Sequence, residues 1–294
     1  MAYSSPSREE APAGADGRTL SWAALLRRDA GEWGLTALLF GVGLSMNALE
    51  PSKRYLTGEH QLATLRQPHQ PNSVPSWLVL PIALLPTLAT VVYLLHVRAV
   101  GRSDATRILL ALLWACAATL FSTDVSKAIV GRPRPYFVER CLCAADADAA
   151  AFRACRATPA AQLGLPGVPQ CLYDVPESRR SFPSGHASLT AAGCLFLTLL
   201  LLQRARPQSE LHGGAAWRVA AAMTPLLLAL LVCLTRIKDD AHHPGDVLAG
   251  ALLGGFWAAL AWRHVVWGAR RGPPPAVGAG QTEPLVRASE GGEP

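Results

Sequence analysis

The sequence predicts an all-α fold, a polytopic bundle of six transmembrane helices with its active site at the non-cytosolic membrane boundary. Three observations lead there. Half of the 294 residues are apolar and only 16% are charged, an oilier balance than soluble enzymes carry. Several apolar runs approach the roughly 20 residues a helix needs to cross a hydrocarbon core about 30 Å thick. The residue types able to do chemistry gather at alternate span ends, and six crossings place those ends on one side.

Residues 1–32 read as a cytosolic tail. Met1 to Asp16 is rich in Ala, Gly, Pro and Ser with mixed charge, and it lacks the apolar core of a cleavable signal peptide. Leu20 to Arg28 is a short amphipathic piece with a basic end. Residues 33–265 form the membrane domain, beginning with a minimal span at Trp33–Leu49 that Asn47 and Glu50 close. Pro51 to Ser73 is polar and punctuated by Pro and Gly, as in an external loop. The second span, Trp77–Val97, carries Pro81 and Pro86, tolerated within a membrane at the cost of a kink. A basic turn with Arg98, Arg102 and Arg107 leads to the third span, Ile108 to about Val125. An external insert of about residues 136–180 follows, without sustained helical periodicity. Ala187–Leu202, Val219–Leu234 and Val247–Trp262 complete the six spans, and residues 266–294 are a second disordered cytosolic tail.

Orientation follows from cations in short loops, which mark the cytosolic side. Arg98, Arg102 and Arg107 lie in one such loop, and Arg204, Arg206 and Arg218 in another. Lys127, the Pro-Ser-Gly-His block and Arg236 to Asp246 then fall together on the external or luminal side. The long insert on that side carries Cys141, Cys143, Cys155 and Cys171, an oxidising location where four cysteines allow three disulfide pairings. A zinc site is the lesser reading, because the spacing matches no usual finger. Cys116, Cys194 and Cys233 lie inside spans and read as packing residues. The net charge of +6 is spread over short loops with no basic face interleaved with aromatics, so a nucleic-acid partner is not expected.

Three blocks carry chemistry. Lys127 through Arg134-Pro135 brings one ammonium and two guanidiniums to a membrane boundary, where they suit phosphate oxygens or serve as snorkelling anchors. Phe182-Pro183-Ser184-Gly185-His186 opens a span, so Ser184 and the Gly185 amide sit at a helix N-terminus that favours anions, with His186 within reach as a proton donor. Ser184 can equally be a plain N-cap. In the third block, Thr235 to Asp246, Pro244 suits the first helical position and puts Asp246 in the first turn, near enough to reach back to His242 and fix its tautomer. The bland alternative has Asp246 offsetting the helix dipole and His243 capping the helix. Asp239 and Asp240 read as solvated loop charges, and a metal nest of Asp239, Asp240, His242, His243 and Asp246 is a rival.

The spacings Lys127-x6-Arg134-Pro135, Pro183-Ser184-Gly185-His186 and Arg236-x5-His242-x3-Asp246 resemble the three-part signature of the type 2 phosphatidic acid phosphatase superfamily, and the chain looks most like its eukaryotic lipid phosphate phosphatase branch. The similarity covers about residues 33–265, including an Arg54 to Trp77 segment that resembles that branch's first external loop; Thr235 replaces the usual serine. The resemblance implies that His242 attacks phosphorus to form a phosphohistidine, Asp246 holds His242, and His186 protonates the leaving alkoxide and later activates water. It implies that Lys127, Arg134, Arg236, Ser184 and Gly185 bind the phosphoryl oxygens, with no cofactor or metal. The expected substrates are phosphatidic acid, lysophosphatidic acid, sphingosine 1-phosphate and ceramide 1-phosphate in a bilayer, at the plasma membrane or an ER or Golgi membrane. Alternatives are a lipid or isoprenoid diphosphate phosphatase and a non-catalytic lipid-binding scaffold. A transporter would hold its polar residues near midplane, and self-association stays open.

Overall fold

Apolar runs of this length satisfy their backbone only by coiling, because hydrocarbon offers no hydrogen-bond partner. The computed structural model describes residues 21–144, 147–173, 175–205 and 216–263, and among these there are helices and turns but no strand. Most of both tails, together with Arg206, Arg270 and Arg271, lies outside the described residues.

Among the described residues, five helices are long and apolar enough to cross a membrane: α4 (Ser76–His96), α5 (Arg102–Val130), α8 (Gly185–Ala205), α9 (Ala216–Lys238) and α10 (Pro244–Ala261). The chain is therefore an integral, multi-pass membrane protein. The first expected span is helical over Ala30–Ser45, 16 residues. This helix, α2, follows α1 (Trp22–Arg28), whose N-cap Ser21 accepts the Ala24 amide, and the two meet at Asp29. Short helices α3 (Glu59–Ala63), α6 (Phe137–Leu142) and α7 (Ala149–Arg156) belong to the segments between spans.

α8 is the central element, packed on α4, α5, α9 and α10. Its closeness to α10 depends on glycine. A Cβ at Gly250 would sit 2.5 Å from the Ser184 carbonyl oxygen, and one at Gly254 would run into the Ser188 carbonyl. Gly250 and Gly254 are four residues apart on one face, the small-residue spacing that lets helix backbones approach in lipid. Gly193 does the same for α8 against Ala83 of α4. Polar bonds add register: Thr123 and Ser188 hydroxyls lie 2.9 Å apart between α5 and α8, and Trp257 Nε1 donates to Ser122 Oγ at 3.0 Å between α10 and α5.

One end of the bundle carries the basic turns. Arg204 Nη1 donates to the Ala99 carbonyl at 3.4 Å, so the α4–α5 turn and the end of α8 lie together. The opposite end carries the insert, which folds over its own core of Leu56, Leu62, Leu65, Phe137, Val138 and Leu163. Two disulfides close it, Cys141–Cys171 and Cys143–Cys155, resolving the three pairings the sequence left open. An antiparallel bridge from Leu56 to Gly167 ties the first loop to this cap.

Gly254→Ala is expected to destabilise the bundle by about 1–3 kcal/mol through overpacking. Gly255→Ala, whose Cβ meets only Leu195 Cδ2 at 3.6 Å, should be neutral or stabilising. Thermal denaturation in detergent compares the two.

Candidate active site

α10 begins with Pro244 at its first position, as the sequence predicts, and with His243 as N-cap, as the alternative reading had it. The N3 carboxylate, Asp246, is fully buried. A buried carboxylate is tolerated only when its lone pairs are filled. Oδ1 accepts Arg132 Nη1 at 2.7 Å. Oδ2 accepts Ser181 Oγ at 2.5 Å and both the backbone N–H and Nδ1–H of His243 at 3.1 Å. The Ser184 amide donates to the Asp246 backbone carbonyl at 3.0 Å, joining the start of α8 to the start of α10.

Asp246 does not hold His242, contrary to the sequence expectation. His242 precedes the cap, beyond the reach of an N3 side chain that bends back to the N-cap residue. Its Nδ1–H donates instead to the Ser181 carbonyl oxygen at 2.7 Å. Ser181 thus stands between the two, its hydroxyl on Asp246 and its carbonyl on His242. Nε2 of His242 makes no hydrogen bond among the described residues. Burial, then the nearby Arg134, push the imidazole pKa well below its ordinary value, opposed by the Ser181 carbonyl, with Lys127 and His186 adding to the depression.

The cations converge on this ring. Arg134 Nη1 lies 3.5 Å from the Ala241 carbonyl, while Arg134 and Lys127 both act on His242 and, with Arg236, on His186. Lys127 Nζ sits so close to α8 that a Cβ on Gly185 would meet it at 3.1 Å. The first-turn amides of Gly185 and His186 have no intrahelical acceptor. Ser184 is buried and its Oγ lies 3.5 Å from the Ala187 amide, a weak cap at best. His186 Nε2 meets the Val74 carbonyl at 3.0 Å, so the first external loop reaches the site.

Each cation arrives already paired. Lys127 bonds Asp124 at 3.0 Å, and Asn47 reaches the same carboxylate at 3.3 Å. Arg134 pairs with the exposed Glu177. Arg236, expected as an open phosphate ligand, is 1% exposed. Its guanidinium donates to Thr235 Oγ1, to Asn72 Oδ1 at 2.9 Å and to Asp239 Oδ2 at 2.7 Å. Of five N–H groups, one on Nη1 stays available. Asp239 is correspondingly not a solvated loop charge: it is buried and also accepts the Ser73 amide at 2.7 Å and the Ser73 hydroxyl at 2.6 Å. Asp240 is half-buried with a left-handed φ of 50°. The five side chains of the metal nest do not converge, and no group of three or more His, Cys, Asp or Glu suited to a metal occurs among the described residues.

Sequence reasoning missed Ser181, Asn72, Ser73 and Glu177, which carry no local signal. It counted Arg132 among the guanidiniums suited to phosphate, whereas the structure sets Arg132 on Asp246, and it passed over Asp124, although an acid one helical turn before Lys127 at a membrane boundary is a recognisable ion-pair spacing.

Fold and site together define a class: an integral membrane protein with a basic, imidazole-bearing site at one end of its bundle. The model of the PAP2 superfamily matches residues 108–270. Lipid phosphate phosphatase 1 of Arabidopsis thaliana is 33% identical over 236 residues, 79% of this chain and 67% of that protein. Lipid phosphate phosphatase 2 of the same plant is 33% identical over 223 residues, 76% and 72% of the two chains. Phospholipid phosphatase 2 of Homo sapiens is 29% identical over 224 residues, 67% and 68%. No solved structure matches the chain. The chain belongs to the PAP2 superfamily, in its lipid phosphate phosphatase branch, and is a phosphatase of the phosphoric monoester hydrolase type.

Two outcomes are expected. Because burial keeps folded His242 neutral, its pKa lies below that of the unfolded chain, 6.5. Below that pH the unfolded state takes up a proton that the folded state refuses. The contribution is full above pH 6.5 and fades as pH falls, by up to about 1.4 kcal/mol per pH unit. His242→Asn should therefore flatten the acid-side decline of the melting temperature in detergent. Ser181→Ala removes one of the bonds on buried Asp246 and loosens the carbonyl that holds His242; kcat should fall about tenfold or more with KM little changed, a split that steady-state kinetics reads directly.

Proposed function

We propose that the protein dephosphorylates lipid phosphate monoesters, of the kind represented by phosphatidic acid, lysophosphatidic acid, sphingosine 1-phosphate and ceramide 1-phosphate, at the extracellular or luminal leaflet. The observation that carries this reading is His242: neutral, held at Nδ1 by the Ser181 carbonyl, with Nε2 unbonded among Lys127, Arg134 and His186. A neutral imidazole with one nitrogen fixed is a nucleophile at the other.

The Nε2 lone pair attacks phosphorus while the ester P–O bond breaks, and His186 gives its proton to the departing alkoxide. Water then attacks the phosphohistidine as His186 takes a proton back, releasing phosphate and restoring His242. Lys127, Arg134, the remaining Arg236 N–H and the first-turn amides of α8 stabilise the charge on the phosphoryl oxygens. The Val74 carbonyl, now against His186 Nε2, gives way to the leaving oxygen.

Membrane placement rests on two supports. The short loops with Arg98, Arg102, Arg107, Arg204 and Arg218 lie at the end away from His242, which suits the cytosol. The two disulfides lie at the site's own end, which suits an oxidising compartment. With α2 as a sixth crossing, residues 33–265 form one catalytic unit flanked by cytosolic tails.

The test is phosphate release from a panel of the four monoesters and an isoprenoid diphosphate, with and without chelator. Monoesters are expected to turn over unchanged in chelator, and His242→Ala to lose roughly 10³-fold or more in kcat. Undiminished turnover by His242→Ala, or activity lost to chelator and restored by a divalent ion, would overturn the reading.

A further inference from the structure

Beside the reacting centre lies a second basic recess. A cavity of about 310 Å³ opens between the first external loop and the start of α10, lined by Arg54, Leu56, Gln61, Thr64, Arg132 and His243 among others. None of Lys127, Arg134, His186 and His242 lines it, and no carboxylate does. We propose that this cavity is a second oxyanion site, binding a phosphoryl group that is not the one being hydrolysed.

Most of its donors are unspent. Arg54 makes no hydrogen bond or ion pair among the described residues. Arg132 gives Nη1 to Asp246, leaving Nε and Nη2 without a bond among the described residues. Gln61 has its Oε1 fixed by the Thr57 amide at 3.0 Å, so its amide N–H groups are free to donate. Two guanidiniums in a recess without an acid are the donor set that grips phosphate oxygens in pairs. Both the family's reaction and the headgroups of a bilayer keep phosphoryl oxyanions at this end of the molecule, as free phosphate or as a lipid phosphodiester.

Occupancy reaches the catalytic histidine through a short path. An anion at Arg132 competes with Asp246 for the guanidinium; Asp246 also holds Ser181, whose carbonyl holds His242. Filling the cavity therefore lowers kcat, whereas phosphate in the reacting centre raises apparent KM.

Arg54→Gln isolates the cavity, since Arg54 is exposed and takes no part in the proposed reaction; Arg54→Lys serves as the conservative control. Hydrolysis of a short-chain lipid phosphate is measured against inorganic phosphate and, separately, in mixed micelles where phosphatidylglycerol replaces a neutral lipid. Without either probe, Arg54→Gln should match the unmutated protein within about twofold, while saturating probe lowers kcat of the unmutated protein about fivefold and leaves kcat of Arg54→Gln unchanged. Arg54→Lys should keep part of the effect. Inorganic phosphate acting alone identifies the product as occupant, and phosphatidylglycerol acting alone identifies a headgroup; either supports the site. If neither probe produces an Arg54-dependent change in kcat, the cavity is not an oxyanion site.

Discussion

The structure of the site depends on one buried carboxylate. Asp246 has no exposed surface, and stripping water from a carboxylate costs several kcal/mol unless other groups replace it. The replacements come from three separated stretches: Arg132 after α5, Ser181 before α8 and His243 before α10. Satisfying one charge therefore fixes three chain segments at once, and it is those segments that deliver Arg134, the α8 N-terminus and His242. The glycines of α10 serve the same end, since they let the Asp246 carbonyl approach the Ser184 amide.

A second consequence of burial is that the site's positive charge is stored in pairs. Lys127, Arg134 and Arg236 each have a carboxylate partner of different accessibility: Asp124 and Asp239 are buried, whereas Glu177 is open to solvent. An exposed partner holds a cation weakly, so in the proposed reaction Arg134 is the one most readily released to a phosphoryl oxygen. Arg236, locked by Asp239, Asn72 and Thr235, works more as a fixed field and as a post that anchors the first external loop.

Much of this was legible in the sequence. Apolar runs fixed the positions of five spans because hydrophobicity reports where lipid is, though not where a helix stops: α5 runs from Arg102 to Val130, beyond the apolar stretch at both ends. Lys127, Arg134, His186 and His242 lie near one another at one end of the bundle because they sit at alternate span ends. What stayed hidden is contact across long separations. Nothing near Ser181 announces that its carbonyl meets His242 61 positions later, and the spacing of His242 and Asp246 suggests a helical pair only if both lie in the helix. His242 lies before the cap, so the carboxylate bends to His243. Asp239 looked solvated because its neighbours are polar; the Asn72–Ser73 loop that covers it is distant in sequence.

In the proposed mechanism Ser181 ties down one nitrogen of His242 and leaves the other to attack phosphorus. Rapid quenching of turnover with labelled lipid phosphate, under alkaline conditions that preserve phosphohistidine, followed by localisation of the label, tests it directly. Label is expected on His242, at Nε2. Label on Nδ1, on another residue, or no covalent intermediate under conditions of full turnover would contradict it.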